Sequence, residues 1–470
     1  MGIAAELARR IIAFRYDDLP EDAVAWAKTA ILDTVGVTLA GAGEECVRIV
    51  ERIQGIDGGG GSSSGPCLIF GSDVRTGPLD AVLINGTASH ALDFDDFAKS
   101  IGGHPSVPLV PAIIALGEMT GASGRDALTA YIAGFEAEGR IAHGVNFHHY
   151  EKGWHPTATL GIFGTVAASS RILGLSEAET ETALCVAVSL ASGVKANFGT
   201  MTKPLHVGHS ARCGVQAALM AKEGFTASAR AFEHAHGFFN VFNGPGNFDA
   251  GRIFENWAEP LDIIDPGLGL KQFPCCGSTH PAINCMLDLA GEKGLKPEDV
   301  AGIEILTNPR RLPHTDNPDP QSGLEAKFSM HYIVSRAFTD GCVVRAHFEG
   351  DAHADPAVRA LMKITRVGAH PDMAADGDNQ FGAEVTVTTR DGNKVSVRID
   401  HQLGRGLDNP MSREELWAKF EDCARRALPE DRILPLFEML ENLETLDSLA
   451  DLTAVMTLAQ GNKKGRKKVG

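Results

Sequence analysis

The sequence predicts a mainly α-helical protein with a large all-helical domain and a smaller α+β domain. Three observations support this prediction. Apolar, Ala- and Gly-rich segments of helical length fill most of the chain up to residue 270, as in helices that pack closely and are largely buried. After Pro266, alternating apolar and polar residues begin to predict strands. From Pro410 the pattern is helical again, so the end of the chain can return to the first domain.

Start and stop signals define the first helices. One helix begins after Pro20, with two acids in its first turn, and ends at Gly41; acids favour a helix N-terminus and glycine favours its end. Another begins at Pro78 and runs toward His90. The Gly/Ser-rich segment 58–65 is predicted to be a mobile loop. Further helices are predicted at 108–119, 125–145, 157–173, 177–192 and 205–223.

Strand patterns mark the second domain. Residues 300–307 alternate like a half-buried strand, and the segments 384–389 and 394–399 flank the hairpin signal Asp391-Gly392-Asn393. Helices are predicted near 279–292, 328–339 and 355–364. We therefore place the all-helical domain at 1–268 and 405–460, the α+β domain at 269–404 and a basic, disordered tail at 461–470.

Composition restricts the classes of partner. The formal net charge of the 470-residue chain is -17, which argues against nucleic acid as a partner. Its nine cysteines are odd in number and form no Cys-x-x-Cys pair, which indicates reduced thiols. The sequence contains no apolar run of about twenty residues, so no membrane span is predicted. The N-terminus lacks the core of a signal peptide. We expect a cytoplasmic protein without a membrane partner.

The segment 199–212 places one lysine, two histidines and one arginine in an apolar region. An unpaired ammonium group is costly to bury, so Lys203 must meet an anionic partner or lose its proton. The segment therefore predicts an anion site or a proton-transfer site for a small acidic metabolite. A Schiff base to a cofactor is the other chemistry of a buried lysine, but no phosphate-binding loop or dinucleotide motif accompanies it.

Three acids crowd the end of the helix that reaches His90. In His90-Ala-Leu-Asp93-Phe-Asp95-Asp96 the carboxylates are close enough to repel one another. At least one of them must therefore have a raised pKa or a cationic partner. His104 follows after a Gly-containing loop. The alternative interpretation is a solvated helix end with an ordinary loop histidine.

Two further segments carry histidines. In 148–157, His155 precedes a proline and lies at a helix N-terminus, a place that favours anions and a neutral imidazole. The spacing there lacks the paired acids or cysteines of a metal site, so no metal is predicted. The segment 271–281 lies at the domain change, where clefts tend to form. It holds His280 and the pair Cys275-Cys276, which we expect to be packing residues rather than nucleophiles.

Together these segments are similar to the MmgE/PrpD family, and the similarity covers nearly the whole chain. It implies an all-helical domain made from both chain ends, a smaller α+β lid domain, a homodimer and no cofactor. Family activities include dehydration of 2-methylcitrate, decarboxylation of cis-aconitate and epimerisation of iminodisuccinate. The matching motifs are His90–Asp96, Gly153–Thr157, Met201–His206 with Gly208 and Ala211-Arg212, and Glu325–Ser329.

The resemblance also implies a set of site residues. Tyr150 is included because it matches a tyrosine of epimerase-like members, and the other catalytic candidates match the family's pocket. The catalytic candidates are Asp93, His104, Tyr150, His155, Lys203 and His280, and the substrate-binding candidates are His149, His206, Arg212 and Ser278.

A cofactor-independent lyase acting on a di- or tricarboxylate, through α-proton abstraction and a carbanion or enolate, is the activity that the resemblance implies. An epimerase or isomerase of a dicarboxylate such as iminodisuccinate is a close alternative. Phe97 stands where decarboxylase-like members have threonine, and the loop 97–103 is similar to that of epimerase-like members. A third possibility is a non-catalytic carboxylate-binding protein.

Overall fold

The computed structural model describes residues 2–56, 65–291, 294–374, 382–400 and 409–458. The two chain ends, Met1–Leu270 and Ser412–Gly470, form unit 1, and the residues between them, Lys271–Met411, form unit 2. The predicted mobile loop, apart from Gly65, and the predicted disordered tail lie outside the described residues.

Unit 1 consists mainly of helices, and unit 2 contains a small sheet. The predicted mainly α fold is therefore confirmed. Short strand pairs β1–β2 and β3–β4 complete unit 1: Cys67–Leu68 with Arg75–Thr76, and Phe97–Ala98 with Leu268–Gly269. The helices are α1 Ile3–Ala13, α2 Glu21–Gly41, α3 Glu45–Ile53, α4 Pro78–His90, α5 Ser106–Thr120, α6 Gly124–Val145, α7 His148–Glu151, α8 Pro156–Thr159, α9 Gly161–Leu173, α10 Glu177–Leu190, α11 Thr202–Lys222, α12 Phe238–Asn243, α18 Arg413–Ala424, α19 Glu430–Glu441 and α20 Leu449–Met456.

Local signals explain most helix boundaries. Pro78 occupies the first turn of α4, where its missing N–H costs nothing. Ser123 caps α6 in a capping box with Asp126. The predicted helix 157–173 is wrong in one respect, because it is two helices, α8 and α9. Leu160 lies between them, with φ −102° and ψ −39°.

Helices α4 and α11 approach each other closely enough for their backbones to touch. A Cβ on Gly86 of α4 would lie 2.8 Å from the Cα of Gly208 in α11. A Cβ on Gly208 would lie 2.2 Å from the carbonyl oxygen of Leu83. Only glycine fits at this crossing, and it brings the end of α4 beside the beginning of α11, where Lys203 lies.

The long helix α2 forms part of the core of unit 1. By length and composition alone it could cross a membrane, but 78% of its apolar window is buried within the fold. Its Asp33 pairs with Lys419 of α18 at 2.5 Å, and both side chains are almost completely buried. The Lys419 ammonium also donates to the Phe94 carbonyl oxygen at 3.0 Å. The returning C-terminal segment thereby holds the loop after α4.

Unit 2 is a four-stranded sheet packed against helices. The sheet order is β6-β5-β7-β8, with β5 parallel to β6 and the other neighbours antiparallel. The predicted strands and hairpin are confirmed, but β6 was not predicted, because its short Thr-Arg-Val-Gly-Ala sequence carries no alternation. The elements are α13 His280–Gly291, β5 Val300–Thr307, α14 Leu312–Thr315, α15 Gly323–Ala326, α16 Met330–Asp340, α17 Pro356–Met362, β6 Thr365–Ala369, β7 Ala383–Thr389 and β8 Lys394–Ile399.

Replacing Lys419 with methionine should destabilise unit 1 strongly. The substitution leaves the buried Asp33 carboxylate without its cation, a loss that typically costs about 3–5 kcal/mol. All four tryptophans lie in unit 1, so tryptophan fluorescence during urea denaturation reports on this unit. The double variant Asp33→Asn/Lys419→Met should recover part of the loss.

Arg425→Ala provides the control, since Arg425 is 55% exposed in its pair with Glu421. Exposed pairs contribute at most about 1 kcal/mol. A similarly small effect of Lys419→Met would show that the buried pair does not support the fold.

Candidate active site

Lys203 meets an anionic partner, as the sequence predicts. Its ammonium lies 2.7 Å from Asp93 Oδ1, and the two side chains are only 15% and 23% exposed. Asp93 follows α4 with a positive φ of 53°, a left-handed conformation that aspartate tolerates better than most residues. The pair is therefore a partly solvent-accessible cation–carboxylate unit at the junction of α4 and α11.

One oxygen of Asp95 lies close to a ring nitrogen of each of two imidazoles. Its Oδ2 lies 2.8 Å from His90 Nδ1 and 2.9 Å from His104 Nδ1. Burial alone would raise the pKa of the Asp95 carboxyl, but His104 and His90 hold that pKa well below its usual range. Burial lowers the pKa of His90 to about 4. Asp95 is thus a buried carboxylate held by two imidazoles.

Asp96, the next residue, has the opposite protonation state. Burial raises the pKa of its carboxyl to about 8, against the opposing effect of a hydrogen bond with Ser106. The Ser106 hydroxyl in turn lies 2.6 Å from the Tyr131 hydroxyl. The predicted crowding of three acids is therefore relieved in three ways: Asp93 has a lysine, Asp95 has two histidines and Asp96 keeps its proton.

His155 lies at the N-terminus of α8, close to His90 and His206. Its ring centroid lies 5.8 Å from that of His90 and 4.8 Å from that of Phe198. Its Nδ1 lies 3.2 Å from Nδ1 of His206. Burial lowers the pKa of His155 well below its ordinary value, which confirms the predicted neutral imidazole but makes burial, rather than the helix end, the main cause.

His149 occupies a structural position. Its Nδ1 lies 3.1 Å from Asn243 Oδ1 and its Nε2 lies 2.7 Å from Thr159 Oγ1. The ring also stacks with Trp154 and Phe242. Both nitrogens are therefore engaged within the fold, and the substrate-binding role of His149 stays a prediction.

Other predicted residues of unit 1 have separate surroundings. Tyr150 is 37% exposed, and the Lys195 ammonium lies 3.4 Å from the centre of its ring. Arg212 lies 3.8 Å from Asp80. Their assignments to catalysis and substrate binding stay predictions.

Two predicted site residues, His280 and Ser278, lie in unit 2. His280 begins α13 and is completely buried, with its ring 5.3 Å from that of Phe273. The Ser278 hydroxyl lies 3.2 Å from His314 Nε2. Burial raises the pKa of the nearby Cys275 thiol to about 12, as expected for a packing cysteine and not for a thiolate nucleophile.

A possible set of metal donors lies within the same cluster. Donor atoms of His90, Asp93, Asp95 and His104 all lie within 4.8 Å of one another. The contacts described above already use several of these atoms, because Asp93 pairs with the Lys203 ammonium and Asp95 accepts from His90. A metal would have to displace these contacts. We therefore assign no metal here, and the predicted metal-free site stays a prediction.

Sequence comparison accounts for most of the chain. Residues 5–250 match the MmgE/PrpD N-terminal domain, and residues 273–444 match the MmgE/PrpD C-terminal domain. The chain belongs to the MmgE/PrpD family. This confirms the resemblance that the sequence motifs predicted.

Several relatives are similar to this chain along nearly their whole length. Cis-aconitate decarboxylase of Homo sapiens is 30% identical over 466 residues, which cover 97% of this chain and 94% of the human protein. The enzyme of the same name from Mus musculus is 29% identical, with coverage of 97% and 93%. That from Aspergillus terreus is 24% identical, with coverage of 97% and 96%.

Sequence reasoning did not select two members of the cluster, His90 and Asp95, as site residues. Both stand in the motif His90–Asp96, so their positions were visible. Their roles depend on the loop after α4, which turns Asp95 back toward the helix end. A carboxylate five residues after a helix-terminal histidine is the only sequence signal for this pairing.

The buried His149 should make unit 1 less stable in acid. Burial lowers its pKa to about 4, whereas an unfolded histidine takes up a proton near pH 6.5. Between these values the unfolded chain binds more protons, so stability should fall as pH decreases from about 6.5 to 4, by up to about 1.4 kcal/mol per pH unit for this residue. Urea midpoints measured across this range should show a shallower slope for His149→Gln, and an unchanged slope would contradict the assignment.

Proposed function

We propose that this MmgE/PrpD protein is a lyase of the decarboxylase or dehydratase type that acts on a tricarboxylate, with cis-aconitate the first substrate to test. The relatives named as cis-aconitate decarboxylases support this choice of substrate. One observation in this chain carries the proposal: Lys203 Nζ lies 2.7 Å from Asp93 Oδ1, and His104 Nε2 lies 3.9 Å from the same oxygen. A fixed cation therefore stands beside a group that can transfer a proton.

The proposed chemistry uses Lys203 as the electrostatic group. Loss of carbon dioxide, or removal of a proton beside a carboxylate, leaves an electron pair that delocalises onto the remaining carboxylates. A preorganised ammonium in a site with little water stabilises that charge far better than water does. Asp93 keeps the ammonium in place until a substrate carboxylate competes for it.

Proton transfer is assigned to His104. Its Nδ1 faces two acceptors, the Asp95 carboxylate at 2.9 Å and the Asp96 carbonyl oxygen at 2.6 Å, so Nδ1 carries hydrogen. Nε2 is then the atom that accepts or delivers a proton. In a decarboxylation, carbon dioxide leaves and this proton goes to carbon. In a dehydration, the abstracted proton and the hydroxide leave as water.

An epimerase of a dicarboxylate is the second candidate. Phe97 stands where decarboxylase-like members have threonine. Its ring packs so closely on Gly269 that a Cβ there would lie 2.7 Å from the ring. A phenyl group at this position cannot donate the hydrogen bond that a threonine hydroxyl offers. A homodimer and cofactor independence stay part of the proposal.

Incubation with a panel of polycarboxylates in heavy water should separate these activities. For a decarboxylase we expect release of carbon dioxide and one deuterium on carbon in the product, read by proton NMR and mass spectrometry. An epimerase would exchange the α-proton of its substrate with no change in mass balance. Absence of both release and exchange with every polycarboxylate would contradict an enzymatic function of this type, and tight binding without turnover would support the carboxylate-binding alternative.

Lys203→Ala should reduce kcat by at least ~10²-fold, the typical effect of removing one electrostatic group from an active site. Lys222→Ala is a matched control on the same helix. Lys222 donates to the Leu173 carbonyl oxygen at the opposite end of α11. We expect the control to keep kcat within about twofold of the wild type; a similar result for Lys203→Ala would remove Lys203 from the mechanism.

A further inference from the structure

One oxygen of Asp95 lies at hydrogen-bonding distance from two imidazoles. His90 approaches it from the last turn of α4 and His104 from the loop before α5. Asp95 is completely buried, as is His90. Its other oxygen, Oδ1, has no hydrogen-bond partner among the described residues. The carboxylate is therefore held almost entirely by these two rings.

The partners determine the tautomer of each ring. A carboxylate with a strongly lowered pKa, such as that of Asp95, can only accept hydrogen bonds. Nδ1 of His90 therefore donates to it and carries hydrogen. Nδ1 of His104 lies 2.9 Å from the same oxygen and 2.6 Å from the Asp96 carbonyl oxygen. Because both of these oxygens are acceptors, Nδ1 of His104 carries hydrogen as well. In the neutral rings, Nε2 is then the atom with the free lone pair. Asp95, together with the Asp96 carbonyl oxygen at His104, thus favours the same tautomer in two neighbouring imidazoles.

His90 is placed to act beside His104. The two ring centroids lie 4.7 Å apart in an edge-to-face arrangement. His90 Nε2 is buried and has no hydrogen-bond partner in the part of the chain that the structure describes, and the same holds for His155 Nε2. Buried polar atoms are rarely left without a partner, so these two nitrogens are candidates for contact with a bound polar group.

We propose that Asp95 is a positioning residue that orients His90 and His104 as a pair, with both Nε2 atoms available to the substrate or to a transferred proton. The inference rests on the proposed function, because it assigns the pair to the same reaction. The negative charge of Asp95 also favours an imidazolium over a neutral ring. Proton uptake by the pair during turnover is therefore easier with Asp95 than without it.

Other charged and titratable groups also face this pair. Asp93 and Lys203 form their ion pair beside His104, while His155 packs against His90. Burial raises the pKa of the Asp96 carboxyl to about 8, so this group keeps its proton at neutral pH. Asp95 is consequently the carboxylate closest to both rings, and its charge is the one that raises the pKa of His90 most, so removing it should lower the proton affinity of His90.

Asp95→Asn is the decisive variant. The asparagine oxygen can still accept from His90, the Asp96 carbonyl oxygen still accepts from His104, and the NH₂ takes the place of Oδ1, which has no partner among the described residues. The substitution therefore removes the charge while it keeps the hydrogen bonds. We expect kcat to fall by about 10²-fold or more, as for impaired acid–base catalysis. The acid limb of the pH–rate profile should move to lower pH, because the charge that stabilises an imidazolium is gone.

Two further variants separate the parts of the proposal. His90→Asn keeps an N–H that can donate to Asp95 but removes Nε2, and it should lower kcat by at least tenfold if Nε2 contacts the reacting groups. Glu138→Gln is the matched control, because Glu138 is a buried acid whose pKa is raised well above its ordinary value by burial. It is already neutral, and we expect wild-type kcat.

A wild-type kcat and pH profile in Asp95→Asn would overturn the proposal. A fall in kcat with an unmoved pH profile would assign Asp95 a purely structural role and would also contradict it. If the wild-type protein turns over no polycarboxylate, the proposed function fails, and the positioning is then tested without substrate. Imidazole C2 proton resonances, assigned with His90→Asn and His104→Asn, should titrate at lower pH in Asp95→Asn, and unchanged titration would refute the orientation by Asp95.

Discussion

The close contact between α4 and α11 is the constraint on which the candidate site depends. Gly86 and Gly208 let the two backbones meet, and any side chain at either position would separate them. The end of α4 thereby reaches the beginning of α11, so the Asp93 carboxylate and the Lys203 ammonium can pair. Asp93, His104, His155 and Lys203 are grouped around this junction, although they come from segments that are far apart in sequence.

Burial makes every charge at this junction depend on its neighbour. Desolvation of an unpaired charge is costly, so each acid of the loop after α4 is either paired with a neighbouring group or protonated. Asp95 is ionised because His104 and His90 lie beside it and hold its pKa well below the usual range, and Asp96 is neutral because burial raises its pKa to about 8. Lys419 of the returning C-terminal helix fixes the loop after α4 by donating to the Phe94 carbonyl oxygen, just before these two acids. The result is a defined pattern of protonation rather than a general basic pocket.

Much of this arrangement could be predicted from the sequence, because it follows from local signals. Proline and glycine positions predicted α2 and α4, and the hairpin signal predicted β7 and β8. The cost of burying Lys203 predicted an anionic partner. These inferences need only short stretches of chain and general physical rules.

The parts that sequence could not supply depend on long-range contacts or on the direction of a side chain. Lys419 and Phe94 are 325 residues apart, and nothing local indicates their contact. The contacts of the two His149 nitrogens with Asn243 and Thr159 also cannot be read from the sequence. The role of Asp95 was missed because it depends on the path of a loop.

Neutron diffraction from a deuterium-exchanged crystal tests the central claim, the protonation pattern at the α4–α11 junction, most directly. At neutral pH the account predicts deuterons on Nδ1 of both His90 and His104, a deuteron on the Asp96 carboxyl and none on Asp95. A deuteron on Asp95, or a His90 or His104 ring whose Nδ1 carries none, would contradict it.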